Sequence, residues 1–500
     1  MAATSHRAAP APFATGPVLG IAAAVAAALT ALSGRYGYHR DELYFLAAGD
    51  HPAWGYVDQP PLTPLLARAA TAVFGNSPAG LRVPATLACA AVVVLVAALA
   101  RELGGGRAAQ LLAACCAAAS GIVLGTGHMV STTTFDLLAW VLICLLALRA
   151  LRTGDGRWWL AAGAAAGIGL LNKYLVVLLL VVLVAAVLAV GPRRTSRGGW
   201  WVAGAAVAAA VALPNVWWQA AHGWPQLTVA GGISSDDGAE NRLMFVPQQI
   251  VYLSPLFVPV WIAGWRRLWR DPALRRARAM ALAYPLLCAL VLLTGGKPYY
   301  ALPLLLVLLA AGCEPVAGWM TRTARTARTV AVAAAVAVSA AMSALFSLPL
   351  LPPGGLSVVN AVNPEQGEQI GWPALVDAVG TGWSRIPAER RAHAVIFAEN
   401  YGEAGALTRY GPRHGLPRPY SGHMSYADWG PPPTSADGPV LLVHQDGSDR
   451  VTRHFTGCRQ VARVDNRHGV DNEEQHAAVV LCTGTARPWP ELWPALRHFY

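Results

Sequence analysis

Long apolar blocks fill the first 350 residues of the chain and limit what it can fold into. Each block runs for about 17 to 22 residues, long enough for a helix to cross a hydrocarbon layer of about 30 Å. Charged residues make up only 13% of the 500 residues, against about 25% in soluble domains. The sequence therefore predicts a mostly α-helical, polytopic membrane protein with about eleven spans. The predicted spans cover residues 14–33, 82–100, 108–126, 134–151, 158–172, 174–190, 200–220, 249–265, 279–294, 299–316 and 329–349.

Arginine clusters fall on alternate turns between these spans, and such clusters are held on the cytoplasmic side of a membrane. A cytoplasmic N-terminus puts every cluster inside and sends the chain outward after the last span, which predicts a multi-pass plasma-membrane protein. These turns also account for most of the formal charge of +11, and no basic stripe remains that would indicate a nucleic-acid partner. The clusters are Arg101 and Arg107; Arg149, Arg152 and Arg157; Arg193, Arg194 and Arg197; Arg266, Arg267, Arg270, Arg275, Arg276 and Arg278; and Arg322, Arg325 and Arg328.

The composition changes abruptly after Leu350, where prolines and glycines replace the apolar run. We predict a membrane domain over residues 1–350 and a small extracytoplasmic α/β domain over 356–500. Helical patterns separate short strand-like pieces in the second domain. The strand-like pieces cover residues 393–398, 440–444 and 477–482.

Cysteines and aromatic residues add two hypotheses about the C-terminal domain. This topology places Cys458 and Cys482 in an oxidising compartment, and our hypothesis is that they form a disulfide. Aromatic side chains crowd the stretch from 399 to 429, where they either fill the small core or form a platform for a bound molecule. The aromatic residues in question are Tyr401, Tyr420, His423, Tyr426 and Trp429.

Lys173 and Lys297 are the only lysines in the chain, and both lie at predicted outer ends of helices. The inside-positive pattern does not explain cations there. An ammonium at such a position could bind a phosphate as a point charge; the alternative is snorkelling to lipid headgroups. Asp136 lies near the outer end of the fourth span, where a charge costs about 2.5 to 3.5 kcal/mol and so suggests function.

Carboxylates and aromatic residues share the long outer segment 34–81. Asp41 and Glu42 lie together near its start, and Asp58 lies further along. Adjacent carboxylates in a loop are more often solvated than catalytic. Their occurrence on the same predicted face as two isolated lysines favours a site for a lipid phosphate and a hydroxyl.

At this point the sequence resembles glycosyltransferase family 39 and its relatives in the GT-C superfamily, which include protein O-mannosyltransferases and aminoarabinose transferases. The resemblance covers roughly residues 14–350, and it depends on the order of several short motifs along the chain. These motifs are Asp41–Glu42, Pro60–Pro61–Leu62, Asp136, Asn172–Lys173–Tyr174, and Lys297–Pro298–Tyr299–Tyr300 followed by Leu302 and Pro303.

The resemblance implies a GT-C-like enzyme that moves a sugar from a polyprenyl phosphate to an acceptor hydroxyl, with inversion at the anomeric carbon. It implies Asp41 as general base, with Glu42 beside it, and Asp136 as the residue that orients the base or the sugar. Lys173 and Lys297 would stabilise the departing phosphate. The full predicted substrate-binding set is Asp58, Gln59, Lys173, Tyr174, Arg242, Lys297, Tyr299 and Tyr300.

One position departs from the family pattern, because relatives often place Lys or His before the Pro-Pro pair where this chain has Gln59. Neither zinc-type His/Cys spacing nor an EF-hand pattern occurs, so we expect no required cofactor. The Asp41–Glu42 pair could still hold a divalent ion with the donor phosphate.

Two other classes of protein compete with this interpretation. A transporter or flippase for a lipid-linked or polar solute would place charges near the bilayer midplane in repeated, interrupted helices. A non-catalytic wall-assembly protein would use the C-terminal domain as its working part. The sequence identifies neither the sugar nor the acceptor, which could be a protein, a polysaccharide, a lipid or a metabolite.

Overall fold

The computed structural model describes residues 10–192, 199–445 and 449–499, so the cluster Arg193, Arg194 and Arg197 lies outside the described residues. Helices dominate the first 350 residues. They are α1 Thr15–Leu32, α2 Arg40–Asp50, α3 Leu62–Phe74, α4 Pro78–Glu102, α5 Arg107–Ala118, α6 Gly121–His128, α7 Thr132–Thr153, α8 Arg157–Leu170, α9 Leu175–Val190, α10 Trp200–Ala221, α11 Pro225–Asp236, α12 Gly238–Val251, α13 Val258–Arg270, α14 Arg278–Thr294, α15 Leu302–Met320 and α16 Arg325–Ser347.

Seven helical segments in the described part of the chain are long and apolar enough to cross a membrane, or nine if each of two bent pairs is one span. Helices α8 and α9, which match two further predicted spans, have only 14 and 16 residues. The predicted membrane class is confirmed, while the count of eleven stays a prediction.

Two of the predicted spans are bent rather than straight. Helices α5 and α6 meet at 56°, and the pair formed by α12 and the segment Pro255–Arg270 meets at 72°. The second break falls inside the span predicted over 249–265, between Val251 and Pro255. Pro255 causes the break, because it lacks an N–H for helical bonding and keeps the residue before it out of helical geometry.

Helix α15 lies at the centre of the bundle. Every side chain from Leu304 to Ala311 is at most 1% exposed, as expected for a helix that is apolar all round. Helix α13 approaches it closely at a glycine, where an added Cβ on Gly264 would lie 1.8 Å from the Leu308 carbonyl oxygen. Small residues at such crossings allow two backbones to touch.

Three of the turns that carry arginine clusters meet at one end of the bundle. Arg152 forms an ion pair with Glu102, and Arg276 donates to the Arg152 carbonyl oxygen at 3.0 Å. Arg267 donates to the Leu103 carbonyl oxygen at 2.9 Å. This shared end matches the alternation predicted from the sequence, whereas its cytoplasmic placement stays a prediction.

The C-terminal region is a small α/β unit, as the sequence predicts, and its strand-like pieces form three strands of one sheet. Its helices are α17 Ser357–Val362, α18 Trp372–Ser384, α19 Tyr401–Tyr410, α20 Asp449–Thr452 and α21 Trp489–Leu496. Its strands are β1 Val395–Ala398, β2 Pro419–Ser421, β3 Val440–His444, β4 Phe455–Thr456, β5 Arg459–Arg463, β6 Ala478–Cys482 and β7 Gly484–Thr485.

The main sheet has the order β2-β1-β3-β6-β5, with β1 parallel to β2 and β3 and with β6 antiparallel to both of its neighbours. Helices α18 and α19 cover one face, and α21 covers the other. Cys458, next to β5, is bonded to Cys482 in β6, which confirms the disulfide hypothesis.

One apolar core joins this unit to the start of the membrane part. Side chains of α2 such as Leu43 and Tyr44 share a buried cluster with Trp372 and Leu407. The Trp372 Nε1–H donates to the Tyr38 carbonyl oxygen at 2.9 Å. The C-terminal unit is therefore packed against the segment that carries Asp41.

Candidate active site

Four consecutive residues at the start of α2 each make a different contact. His39 is the N-cap: its Nδ1 accepts the N–H of Asp41 at 3.2 Å, and its own N–H donates to Glu42 Oε2 at 2.9 Å. These reciprocal bonds form a capping box, which fixes where the helix begins. The cap thereby sets the directions of Arg40 and Asp41.

Glu42 is completely buried and forms an ion pair with Arg82, which is also completely buried. Arg82 donates to both carboxylate oxygens, at 2.9 and 2.7 Å, and the Val130 N–H donates to Oε1 at 2.9 Å. Breaking such a buried pair costs about 3 to 5 kcal/mol. This placement makes Glu42 a buried partner of Arg82 and leaves Asp41 as the accessible carboxylate of the pair, while a catalytic role for Glu42 stays a prediction.

Asp41 connects the membrane part to the C-terminal unit. Its side chain is 36% exposed, and its Oδ1 accepts a hydrogen bond of 2.8 Å from the hydroxyl of Tyr401 at the start of α19. Its Oδ2 lies 4.0 Å from His39 Nδ1. The carboxylate is thus held at one oxygen and open to solvent, a geometry that suits proton transfer.

His39 and Glu365 form a second contact between the two parts. The His39 Nδ1 accepts from Asp41, so Nε2 carries the proton that it shares with Glu365 Oε2 at 2.8 Å. Burial would raise the pKa of Glu365, but the hydrogen bond from His39, with Arg40 and Lys297 nearby, lowers it to about 2. Glu365 is therefore ionised beside Lys297 at neutral pH.

Asp58 and Gln59 lie against the same region from the loop after α2. Tyr44 donates to Asp58 Oδ1 at 2.7 Å. Burial raises the pKa of Asp58 to about 7; the bond from Tyr44 opposes this rise, and the charge of Asp41 adds to it. Gln59 is 2% exposed, and neither polar atom of its side chain has a hydrogen-bond partner among the described residues.

Lys173 lies in the turn between α8 and α9, as predicted. The side chain of Asn172 holds this turn, donating to the Thr132 carbonyl oxygen and accepting from the Thr63 hydroxyl, both at 2.7 Å. The Lys173 ammonium lies 3.3 Å from the Tyr299 hydroxyl and 5.2 Å from the centre of that ring.

A narrow cavity lies next to Lys173. Its walls include Thr133, Asp136, Tyr299 and Tyr300. Asp136 is buried and accepts a hydrogen bond from the Trp140 Nε1–H at 3.0 Å. Its carboxylate lies near enough to the Lys173 ammonium for the two opposite charges to attract each other. Four residues predicted from three separate motifs therefore lie together: Lys173, Asp136, Tyr299 and Tyr300.

Lys297 completes this polar region from the other side. Its ammonium lies 3.7 Å from Asp237 Oδ2, and its positive charge helps to lower the pKa of Glu365. Tyr299 lies close enough to Asp41, Asp136 and Glu365 to be affected by all three charges. We name the set Asp41, Asp58, Asp136, Lys173, Lys297, Tyr299 and Glu365 the polar site.

Two predicted residues make structural contacts instead. Arg242 donates to carbonyl oxygens of Gly238, Leu292 and Leu293, so it caps the end of α14. The Tyr174 hydroxyl donates to the amide oxygen of Asn215. Substrate contacts by these two residues stay predictions.

The sequence interpretation did not assign His39 or Glu365 to a site, and it named Tyr401 only as a core or platform residue. The one sequence signal for these residues was the position of His39 two residues before the Asp-Glu motif. The platform hypothesis for the aromatic stretch around Tyr401 stays a prediction, and the members of the stretch make different contacts. Tyr426 is buried in the core, whereas Tyr401 reaches Asp41 and Trp429 stacks on His51 at 4.2 Å.

Comparison with known proteins gives a family match and several structural matches. The family model of dolichyl-phosphate-mannose-protein mannosyltransferases matches residues 58–218. ArnT from Cupriavidus metallidurans, bound to undecaprenyl phosphate, is 14% identical over 94% of this chain and 98% of its own, with a TM-score of 0.59. Its apo form has a TM-score of 0.56, at 14% identity over 93% and 96% of the two chains.

A third structure, the arabinofuranosyltransferase AftD from Mycobacteria, is 17% identical over 93% of this chain and 40% of its own, with a TM-score of 0.51. None of the curated proteins compared with the chain matches it. At such low identities, the structural likeness establishes a shared fold.

The chain has an ArnT-like membrane fold, and its residues 58–218 match the mannosyltransferase family model. The resemblance to glycosyltransferase family 39 predicted from the sequence is confirmed by the family match and by the ArnT-like fold.

Proposed function

We propose that the protein transfers a sugar from a polyprenyl phosphate to an acceptor hydroxyl at the outer membrane face, with inversion. The observation that carries this proposal is the polar site itself. It combines Asp41, a solvent-accessible carboxylate with one oxygen free of hydrogen bonds from the described residues, with two ammonium groups at helix ends. A base and a phosphate-binding group are the two things that this reaction needs from a protein.

The proposed reaction assigns one bond change to each group. Asp41 Oδ2 takes the proton of the acceptor hydroxyl while that oxygen attacks the anomeric carbon. The bond between the anomeric carbon and the phosphate oxygen breaks, and its electron pair stays on the phosphate. Lys173 and Lys297 stabilise that negative charge, and attack opposite the leaving phosphate inverts the carbon.

Tyr401 and the Glu42–Arg82 pair act as positioning groups in this mechanism. The hydroxyl of Tyr401 holds Asp41 Oδ1 and so directs the other oxygen. The Glu42–Arg82 pair fixes the start of α2 beneath them. Since Tyr401 belongs to the C-terminal unit, this unit caps the site and contributes to acceptor choice, as its position against Asp41 suggests.

The location of the charges favours transfer over transport. Transport sites usually lie at interrupted helices near the bilayer midplane. Lys173 and Lys297 follow α8 and α14, at the ends opposite to those where the arginine-bearing turns meet. The polar site thus opens toward one face of the bundle.

The test is to incubate the purified protein with a panel of polyprenyl-phosphate sugars and to measure consumption of each donor and release of polyprenyl phosphate. We expect turnover with one donor and an acceptor hydroxyl, and little with Asp41→Asn. Uptake of an intact lipid-linked sugar across a vesicle membrane, without cleavage of the donor, would refute transfer and support the transport alternative.

A further inference from the structure

A carboxylate cluster lies beside the polar site, on the other side of Arg40. Glu368, Glu473 and Glu474 bring one oxygen each to within 4.8 Å of one another. Glu368 comes from the segment before α18, and the other two come from the segment before β6. None of the three takes part in the proposed transfer reaction.

The charge of this cluster is not balanced by Arg40, the basic residue that forms ion pairs with it. Arg40 forms an ion pair with Glu473 and lies 4.0 Å from Glu368 Oε2. Three carboxylates and one guanidinium leave two negative charges when all are ionised. Two of the carboxylates are almost inaccessible to water, since Glu368 is 6% and Glu474 is 4% exposed.

Unsatisfied oxygens supply a second observation. Glu474 Oε2 and Glu368 Oε2 are buried and accept no hydrogen bond from any described residue. Glu403, which is completely buried and lies outside the cluster, also leaves its Oε1 without a hydrogen bond. Asn400 binds both Glu403 and Glu474, so these carboxylates lie side by side. Buried oxygens of this kind are rare unless something binds them.

We propose that Glu368, Glu473 and Glu474 form a binding site for a divalent cation, with Ca²⁺ as the best-fitting ion. Hard oxygen ligands without histidine or cysteine suit Ca²⁺, which accepts six to eight oxygens in flexible geometry. Its charge of two equals the excess negative charge of the cluster. Mg²⁺ fits less well, because it requires near-ideal octahedral geometry and keeps several waters.

The site would connect three segments that meet at Asp41. Arg40 precedes Asp41 on α2, and Asn400 precedes Tyr401 on α19. An ion held by Glu368 and Glu474 would fix the two C-terminal segments against the start of α2. Ca²⁺ is then a structural ion that orders the cap over the polar site, and it takes no part in the chemistry.

The experiment measures Ca²⁺ binding to the full chain in detergent, without donor or acceptor, so that it is independent of the proposed transfer. After treatment with a chelator, the protein is titrated with CaCl₂ in a calorimeter. We expect saturable binding of one ion per chain with a Kd of about 1 mM or tighter. We expect Ca²⁺ to raise the melting temperature as well.

Glu474→Gln and Glu368→Gln should weaken binding at least about tenfold. Glu491→Gln, which removes an exposed charge from α21 of the same unit, is the matched control and should bind as the wild type does. If the buried variants do not fold, Glu473→Gln replaces them, because its side chain is 45% exposed. Absence of saturable wild-type binding up to about 10 mM, or unchanged binding by the folded variants, overturns the proposal.

Discussion

Replacement of Asp41 by asparagine tests the proposed base most directly. The amide keeps the volume of the side chain and can still accept the hydrogen bond from Tyr401, but it cannot take a proton from the acceptor. A well-placed general base contributes about 10²- to 10⁴-fold to a rate. Asp41 is 36% exposed, so water can replace part of its function. We therefore expect the lower half of this range, about 10²- to 10³-fold in kcat/KM, or about 3 to 4 kcal/mol.

The assay follows donor consumption at several donor concentrations, so that kcat and KM are separated. We expect kcat to fall while the KM for the donor stays near the wild-type value, because Asp41 does not contact the phosphate in the proposed reaction. Asp50→Asn, the same change at an exposed position on the same helix, is the control and should retain activity. Near-normal turnover by Asp41→Asn would refute the assignment and point to Asp58, which also lies in the polar site.

Three further predictions follow from the polar site. Tyr401→Phe removes one hydrogen bond to Asp41 and should lower kcat about tenfold without changing the KM for the donor. Recovery of activity at raised pH would show that the variant is folded and that Tyr401 acts by positioning Asp41. Lys173→Met should raise the KM for the donor and lower kcat, whereas Lys173→Arg should retain part of the activity; equal donor KM in both variants would contradict phosphate binding. Asp58 has a pKa raised from its ordinary 3.8 to about 7, so the folded state holds this proton more tightly than the unfolded state. Wild-type stability should therefore fall relative to Asp58→Asn as pH rises from about 4 to about 7, and a pH-independent difference in melting temperature would contradict the burial of Asp58.

Local sequence patterns predicted much of the architecture. Apolar length predicted the spans, and the turn at Lys173 and the strands β1, β3 and β6 also follow from short-range signals. The bends were less visible, because Pro255 lies inside an otherwise apolar run and a proline can kink a span without ending it. Hydropathy alone therefore reported one straight helix.

The contacts of the site were harder to predict, since they join residues far apart in the chain. Tyr401 and Asp41 are 360 residues apart, and His39 and Glu365 are 326 apart. A single sequence contains no local signal for such pairs. Adjacent residues also proved unequal: Glu42 is enclosed by Arg82, while Asp41 faces solvent, because successive helical positions point about 100° apart.

The core that α2 shares with the C-terminal unit has a consequence for biosynthesis. Tyr38 and its partner Trp372 are 334 residues apart. At about 5 to 20 residues per second, the ribosome needs roughly 15 to 70 s to supply the second after the first. During this interval the apolar side of α2 has no partner from the C-terminal unit, and the contact between Asp41 and Tyr401 forms only after residue 401 has been made. Nascent chains truncated before residue 372 should therefore be more sensitive to protease at 34–81 than the finished protein.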